Sequence, residues 1–130
     1  MSISGAVPST AELAILRVLW ERGGSTVHEV HETLYEGTEV GYTTSLKLLQ
    51  NMLAKGLVTR DERMRQHVYR AAVPKHRTLN TLVRNWMDKT FAGSSAALAM
   101  QALDARPASR EELGRLKELI RKIERREGKR

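Results

Sequence analysis

The sequence contains no cysteine, and this absence excludes several kinds of chemistry. Disulfide bonds, zinc sites with thiolate ligands and thiol redox reactions all need cysteine, so none of them can operate in this chain. The first residues lack a basic start with a long apolar run, and no apolar stretch approaches the ~18 residues that a membrane span needs. We therefore expect no signal peptide, no membrane insertion and a cytoplasmic protein.

The sequence also lacks the usual signatures of an enzyme. It has no nucleophile motif, no glycine-rich phosphate loop and no pair of carboxylates at a spacing typical of acid-base catalysis. His28 and His31 could begin a metal site beside Glu29 and Glu32, but structural or catalytic zinc needs three or four ligands. Solvated side chains are the better interpretation of these histidines. We expect no enzymatic activity, no cofactor and no metal.

Charge is distributed unevenly along the chain. The net charge is +7 and the sequence pI is about 10.1, which favours a polyanionic partner such as nucleic acid. Residues 1–42 contain six acidic and two basic side chains, whereas residues 43–70 contain six basic and two acidic ones. The basic part of the chain therefore begins at residue 43, although an excess of charge can also serve solubility alone.

Two capping boxes predict the first two helices. Residues 9–12 and 26–29 both follow the pattern S/T-x-x-E, in which the first and last side chains satisfy free amides at a helix start. Residues 23–24 are both glycine and are expected to end the first helix. The buried stripe of that helix is predicted to contain Leu13, Leu16, Leu19 and Trp20.

A third amphipathic helix is predicted over residues 41–55. Leu46, Leu49 and Leu53 recur at i, i+3 and i+7, so one side should pack on a core. The other side offers hydroxyls, amides and one cation, groups that bind phosphates and base edges. Short turns between the three helices favour a helix-turn-helix whose third helix enters the major groove. Its candidate DNA-binding residues are Tyr42, Thr43, Thr44, Lys47, Gln50 and Asn51.

A short hairpin is predicted next. Residues 57–62 and 67–70 are rich in β-branched or aromatic side chains at near-alternate positions. The tip between them carries Arg63, Arg65 and Gln66, which we expect to contact the phosphate backbone as a wing. The alternative is a solvated turn.

Pro74 separates this unit from a helical segment, so we predict a winged-helix DNA-binding domain at 1–73 and a helical dimerisation domain at 74–130. Helices are expected over 75–91 and 96–103, and a third capping box at 109–112 opens the last helix. Their apolar faces need a partner, either a second copy or the N-terminal unit. The candidate dimerisation residues are Leu79, Leu82, Val83, Trp86, Met87, Phe91, Leu113, Leu116, Ile120 and Ile123.

Several runs in the sequence resemble the penicillinase and methicillin-resistance repressors of the BlaI/MecI/CopY family. These runs are A-E-L-A-I-L-R-V-L-W-E-R-G from Ala11, G-Y-T-T from Gly41, L-K-L-L-Q-N-M-L-A-K-G-L-V from Leu46 and F-A-G-S-S from Phe91. Their order and spacing cover nearly the whole chain. The resemblance implies a winged-helix domain, a helical dimerisation domain and repression from a palindromic operator.

The resemblance also assigns roles to particular residues. It places the DNA contacts of the family on Tyr42, Thr43, Thr44, Lys47 and Gln50. In many such systems a membrane sensor protease responds to a β-lactam and cleaves the repressor at an Asn-Phe pair. That pair falls on Gln101 and Ala102 here, where the sequence departs from the family pattern. The copper-responsive mechanism uses a cysteine metal site and is excluded for this chain.

The sequence thus predicts a mainly α fold with a winged helix-turn-helix domain followed by helices that dimerise. The predicted function is transcriptional repression by a homodimer on a palindromic operator. The resemblance further implies control of β-lactam resistance genes and inactivation by proteolysis. One alternative is a winged-helix adaptor that binds a protein and no operator. Another is a DNA-binding protein without sequence preference.

Overall fold

The computed structural model describes residues 7–128, so the expectation about a signal peptide falls largely on residues outside the described part. The fold is mainly α, with the winged-helix order of three helices, a two-stranded sheet and further helices. The elements are α1 (Thr10–Arg22), α2 (Val27–Tyr35), α3 (Tyr42–Lys55), β1 (Val58–Asp61), β2 (Val68–Ala71), α4 (Lys75–Thr90), α5 (Ser95–Ala105) and α6 (Arg110–Glu127).

The chain divides into two compact units, with the division between Arg84 and Asn85 inside α4. The first unit contains α1, α2, α3, the sheet and most of α4, and the second contains α5, α6 and the last turns of α4. The predicted domain boundary at Pro74 stays a prediction. Within residues 7–128, no helix is both long enough and apolar enough to cross a bilayer.

The three predicted capping boxes are confirmed. At the start of α1, the Glu12 amide donates to Ser9 Oγ at 3.2 Å and the Ser9 amide donates to Glu12 Oε1 at 2.9 Å. The same pair of bonds forms at Thr26 and at Ser109. Each such cap contributes about 1 kcal/mol to the helix that it starts, so the helix starts are fixed by local sequence.

The core of the first unit lies among α1, α2, α3 and the sheet. Its buried apolar residues are Ile15, Leu16, Val18, Leu19, Val27, Val30, Leu49, Met52, Leu57, Val58 and Tyr69. The predicted stripe of α1 was therefore only partly right, because Ile15 and Val18 are buried while Leu13 and Trp20 are half-buried. Since α1 contacts α2, α3 and β2, it buries a wider face than a single stripe.

The predicted hairpin is confirmed, and the α1–α2 turn supports it. β1 and β2 pair antiparallel, from Val58 opposite Ala71 to Asp61 opposite Val68. Ser25 adds a bridge, because its amide donates to the Tyr69 carbonyl at 2.9 Å and its carbonyl accepts from the Tyr69 amide at 2.8 Å. A two-stranded hairpin is marginal on its own, so this bridge and the buried Tyr69 side chain hold it on the helices.

Candidate nucleic-acid interface

The outward face of α3 is exposed and polar over its whole length. Thr43, Thr44, Lys47, Gln50 and Asn51 are all exposed, while Ser45, Leu49 and Met52 are fully buried on the other side of the helix. In the described part of the chain, the five outward side chains make no hydrogen bond or ion pair with the protein. Their donors and acceptors are therefore available to an external ligand.

The C-terminal end of α3 is fixed to α1 by an ion pair between the exposed Lys55 and the buried Glu12. Lys55 Nζ donates to Glu12 Oε2 at 2.8 Å and to Glu12 Oε1 at 3.0 Å, and Glu12 is only 2% exposed. Burial alone would raise the pKa of Glu12, but hydrogen bonds from Lys55 and Ser9 outweigh it and hold this pKa below the ordinary value. The carboxylate is therefore charged at neutral pH and locks α3 against the start of α1.

The N-terminal end of α3 rests on α2 through His31. His31 Nδ1 lies 2.7 Å from the oxygen of the buried Ser45 hydroxyl. The His31 ring also meets the Tyr42 ring edge-on, with the centroids 5.9 Å apart and an interplanar angle of 73°. Sequence reasoning missed this support, because the contact joins residues on different helices and leaves no periodic signal. Tyr42 remains 46% exposed and is thus positioned but still accessible.

The wing does not present two free cations at its tip, as the sequence predicts, because one of them is paired with a carboxylate. Arg63 Nη2 donates to Asp61 Oδ2 at 2.7 Å, and the Arg63 amide donates to Asp61 Oδ1 at 3.0 Å. These bonds hold the pKa of Asp61 far below its usual range. Arg60 is also paired, because its Nε donates to Glu62 Oε2 at 2.8 Å. Arg65 and Gln66 make no side-chain bond within residues 7–128, so Arg65 is the available cation at the tip.

The two histidines that could begin a metal site have different surroundings. His28 is exposed, and its Nε2 lies 3.3 Å from Glu32 Oε2, whereas His31 is turned towards Ser45. Among residues 7–128, no group of three or more histidine, cysteine, aspartate or glutamate side chains is arranged to hold a metal ion. His28 instead lines a cleft with Arg65 and His67 of the wing.

The predicted dimerisation residues leave much apolar surface exposed on single helices. Trp86 is 61% exposed and Ile120 is 54% exposed. The others that are at least one-third exposed are Leu79, Val83, Leu113, Leu116 and Ile123. Leu82, Met87 and Phe91 are half-buried. The structure adds apolar residues that the spacing argument did not include, namely Met100, Leu103 and Leu119.

The resemblance places cleavage at Gln101 and Ala102. Both residues are exposed. They lie inside α5 and not in a loop. A protease binds its substrate in an extended form, so cleavage here needs the end of α5 to unwind first.

The solved structures that are similar to this chain include two transcriptional regulators. A probable transcriptional regulator from Pseudomonas aeruginosa is 19% identical over 92% of this chain and 81% of that chain, with a TM-score of 0.48. A transcriptional regulator from Thermotoga maritima is 20% identical over 94% of this chain and 80% of that chain, with a TM-score of 0.46. The comparison with curated proteins gave no match.

The comparison with family models gives a match over nearly the whole chain. Residues 8–122 match the penicillinase repressor family. This span includes all three helices of the winged-helix unit, both strands of the wing and most of α6. The chain belongs to the penicillinase repressor family of transcriptional regulators.

Proposed function

We propose that this chain represses transcription as a homodimer that binds a palindromic DNA operator through α3 and the wing. The observation that carries the proposal is the outward face of α3, whose five polar side chains have no partner in the described part of the chain. Both ends of α3 are fixed to other helices, so the face is held in one orientation. A rigid helix with unsatisfied donors and acceptors suits readout in the major groove.

Different residues serve different parts of the interaction. Lys47, Gln50 and Asn51 lie beyond the first turn of α3 and carry the amide and ammonium groups that recognise base edges. Arg65 at the wing tip carries a charge suited to a phosphate. Lys47 is therefore one of the base-reading residues, whereas Arg65 contributes to the affinity for any sequence.

The homodimer is supported by the exposed apolar side chains of α4 and α6. Trp86, Leu113, Ile120 and Ile123 are each at least 40% exposed on a single chain. A monomeric protein rarely exposes many large apolar side chains, so their number here favours an interface with a second copy. A twofold dimer presents two copies of α3 to half-sites about 10 base pairs apart or a multiple of that. Sedimentation of the full chain tests this, and a monomer at micromolar concentration contradicts it.

On the basis of the family alone, we also propose that the chain controls β-lactam resistance genes and that a membrane sensor protease releases it from DNA by cleavage. Exposure of Gln101 and Ala102 is compatible with this step, although the pair differs from the Asn-Phe sequence of the family. Co-expression with such a protease, followed by N-terminal sequencing of the fragments, tests it. A fragment that starts at Ala102 supports the step, and an intact chain rejects it.

Operator binding is tested by gel shift on the DNA upstream of the gene that encodes this chain. Lys47→Ala is expected to reduce discrimination between that DNA and a scrambled duplex by about 1–3 kcal/mol. Arg65→Ala is expected to weaken binding to both duplexes equally and to lower the slope of log K against log salt by about 1. Lys122→Ala, which removes an exposed lysine from α6, is the control.

The gel shift also separates the alternatives. If the chain binds every duplex equally, sequence-specific repression is rejected in favour of a non-specific DNA-binding protein. If no salt-sensitive binding occurs at all, the exposed apolar helices favour an adaptor that binds another protein.

A further inference from the structure

A cleft separates the wing from the helices beside the polar face of α3. It is lined by His28 of α2, Tyr42 and Leu46 of α3, and Arg65, Gln66 and His67 of the wing. Its rim has one permanent cation, Arg65, and two imidazoles that come from separate elements of the chain. The elements that line the cleft are the ones expected to face DNA, so a backbone phosphate is the anion that this arrangement fits.

The charged and titratable groups at the cleft come from α2, α3 and the wing. Glu32, one turn along α2, lies 3.3 Å from His28 Nε2. The other titratable or charged groups lining the cleft are Arg65 and the phenols of Tyr42 and Tyr69. Among these residue types, only histidine ordinarily changes its charge between about pH 5 and pH 8. The charge of the cleft therefore rises as the pH falls through this range.

We propose that this cleft binds a DNA phosphate through Arg65, His28 and His67, and that protonation of the two histidines makes DNA binding tighter at acidic pH. The inference rests on the proposed function. An imidazolium has two N–H donors, so His28 can keep its contact with Glu32 and donate the other N–H to a phosphate. A neutral imidazole keeps only one N–H donor and has no charge to attract the phosphate.

The direction of the pH effect follows from linkage. Because the protonated histidines bind phosphate more tightly, DNA binding takes up protons and its affinity rises as the pH falls from about 8 to about 6. Exposed ion pairs contribute modestly, so each protonated histidine is expected to tighten binding about twofold to fivefold. For both histidines together we expect about tenfold.

The experiment compares the full chain with the double variant His28→Gln, His67→Gln. Fluorescence anisotropy with a rhodamine-labelled mixed-sequence duplex of about 30 base pairs is measured at about pH 6 and pH 8 in about 50 mM salt. The matched control is His76→Gln, because His76 is an exposed histidine on α4 that does not line the cleft. We expect tenfold tightening for the wild type and the control, and less than about twofold for the double variant.

A double variant that keeps the pH dependence of the wild type overturns the inference, while its binding to the duplex at pH 8 shows that the DNA binding on which the proposed function depends is retained. A wild type that binds no DNA at either pH overturns both. Proton NMR of the imidazoles gives a second readout that a purely structural role would not change. At about pH 6, adding the duplex should shift the imidazole signals of His28 and His67 and leave those of His76 unchanged.

Discussion

Lys55→Met is expected to destabilise the winged-helix unit, because it removes the charged partner of the buried Glu12. Methionine keeps an unbranched apolar side chain that can follow the path of the lysine stem. Within residues 7–128, the substitution leaves the Ser9 amide as the remaining donor to the Glu12 carboxylate. It therefore isolates the contribution of the Glu12–Lys55 pair from that of the capping box.

The size of the effect follows from the geometry of the pair. Removing one partner of a fully buried ion pair costs about 3–5 kcal/mol. Here the Glu12 side chain is 3% exposed, but the Lys55 side chain is 47% exposed, so solvent screens the pair on the lysine side. With that discount we expect Lys55→Met to lower the free energy of unfolding by about 1–2 kcal/mol at neutral pH.

The pH dependence gives the prediction a second test. The folded-state pKa of Glu12 lies below the ordinary value of 4.5. The pair therefore contributes stability above that value, and the contribution is lost as the pH falls through the folded-state pKa. In Lys55→Met the pKa of Glu12 rises, because burial remains while the lysine is gone. The difference in stability between wild type and variant should then shrink as the pH falls below 4.5.

Urea unfolding of the full chain, followed by circular dichroism at one fixed protein concentration, measures both effects. A fixed concentration matters because any dimer makes the stability concentration-dependent. The matched control is Lys47→Met, which removes a lysine of the same helix that has no partner within residues 7–128 and should cost less than about 0.5 kcal/mol. The reasoning is refuted if the two variants cost the same, or if the cost of Lys55→Met is unchanged at acidic pH.

Three further substitutions test the wing and the caps. Asp61→Asn releases Arg63, so binding to mixed-sequence DNA should tighten and the salt slope should steepen by about 1 in anisotropy titrations; an unchanged slope contradicts this. Gly24→Ala puts a Cβ 2.9 Å from Val68 Cγ1 and 2.6 Å from Arg70 Nη1. In urea unfolding it should cost about 1–3 kcal/mol, unlike Gly41→Ala, where the nearest atom is 3.9 Å away. Thr26→Ala removes the cap of α2 and should cost about 1 kcal/mol in urea unfolding, whereas Thr26→Ser should keep the cap; equal losses count against the cap.

Local sequence was enough to predict the helices and the wing. The capping boxes at Ser9, Thr26 and Ser109 bond residues three positions apart, so the pattern and the structure involve the same few residues. Gly23 ends α1 with a positive φ of 86°, and Gly56 ends α3 with a φ of 82°, a conformation that glycine adopts at little cost. Patterns that involve only residues close together in the sequence can be interpreted without knowing the tertiary structure.

The contacts that position the candidate site could not be predicted in the same way. Lys55 and Glu12 are 43 positions apart, and His31 and Ser45 are 14 apart. Neither pair leaves a periodic pattern, because each depends on how two helices pack. The Asp61–Arg63 pair is local, but it depends on the conformation of the turn. Sequence reasoning therefore found the polar face of α3 and missed what fixes it and what neutralises part of the wing.

The supports of α3 bear on how the proposed DNA binding would divide affinity from specificity. The His31–Ser45 contact lies near the start of α3, Leu49 and Met52 are buried at its middle, and Lys55 is paired at its end. The backbone of the helix is thus ordered by folding, and DNA binding has to order only its outward side chains, at about 0.5–1.5 kcal/mol each. The wing offers charge with fewer constraints, because Arg65 has no partner within residues 7–128. If the proposed function holds, discrimination between sequences comes from α3 and attraction to any duplex comes from the wing.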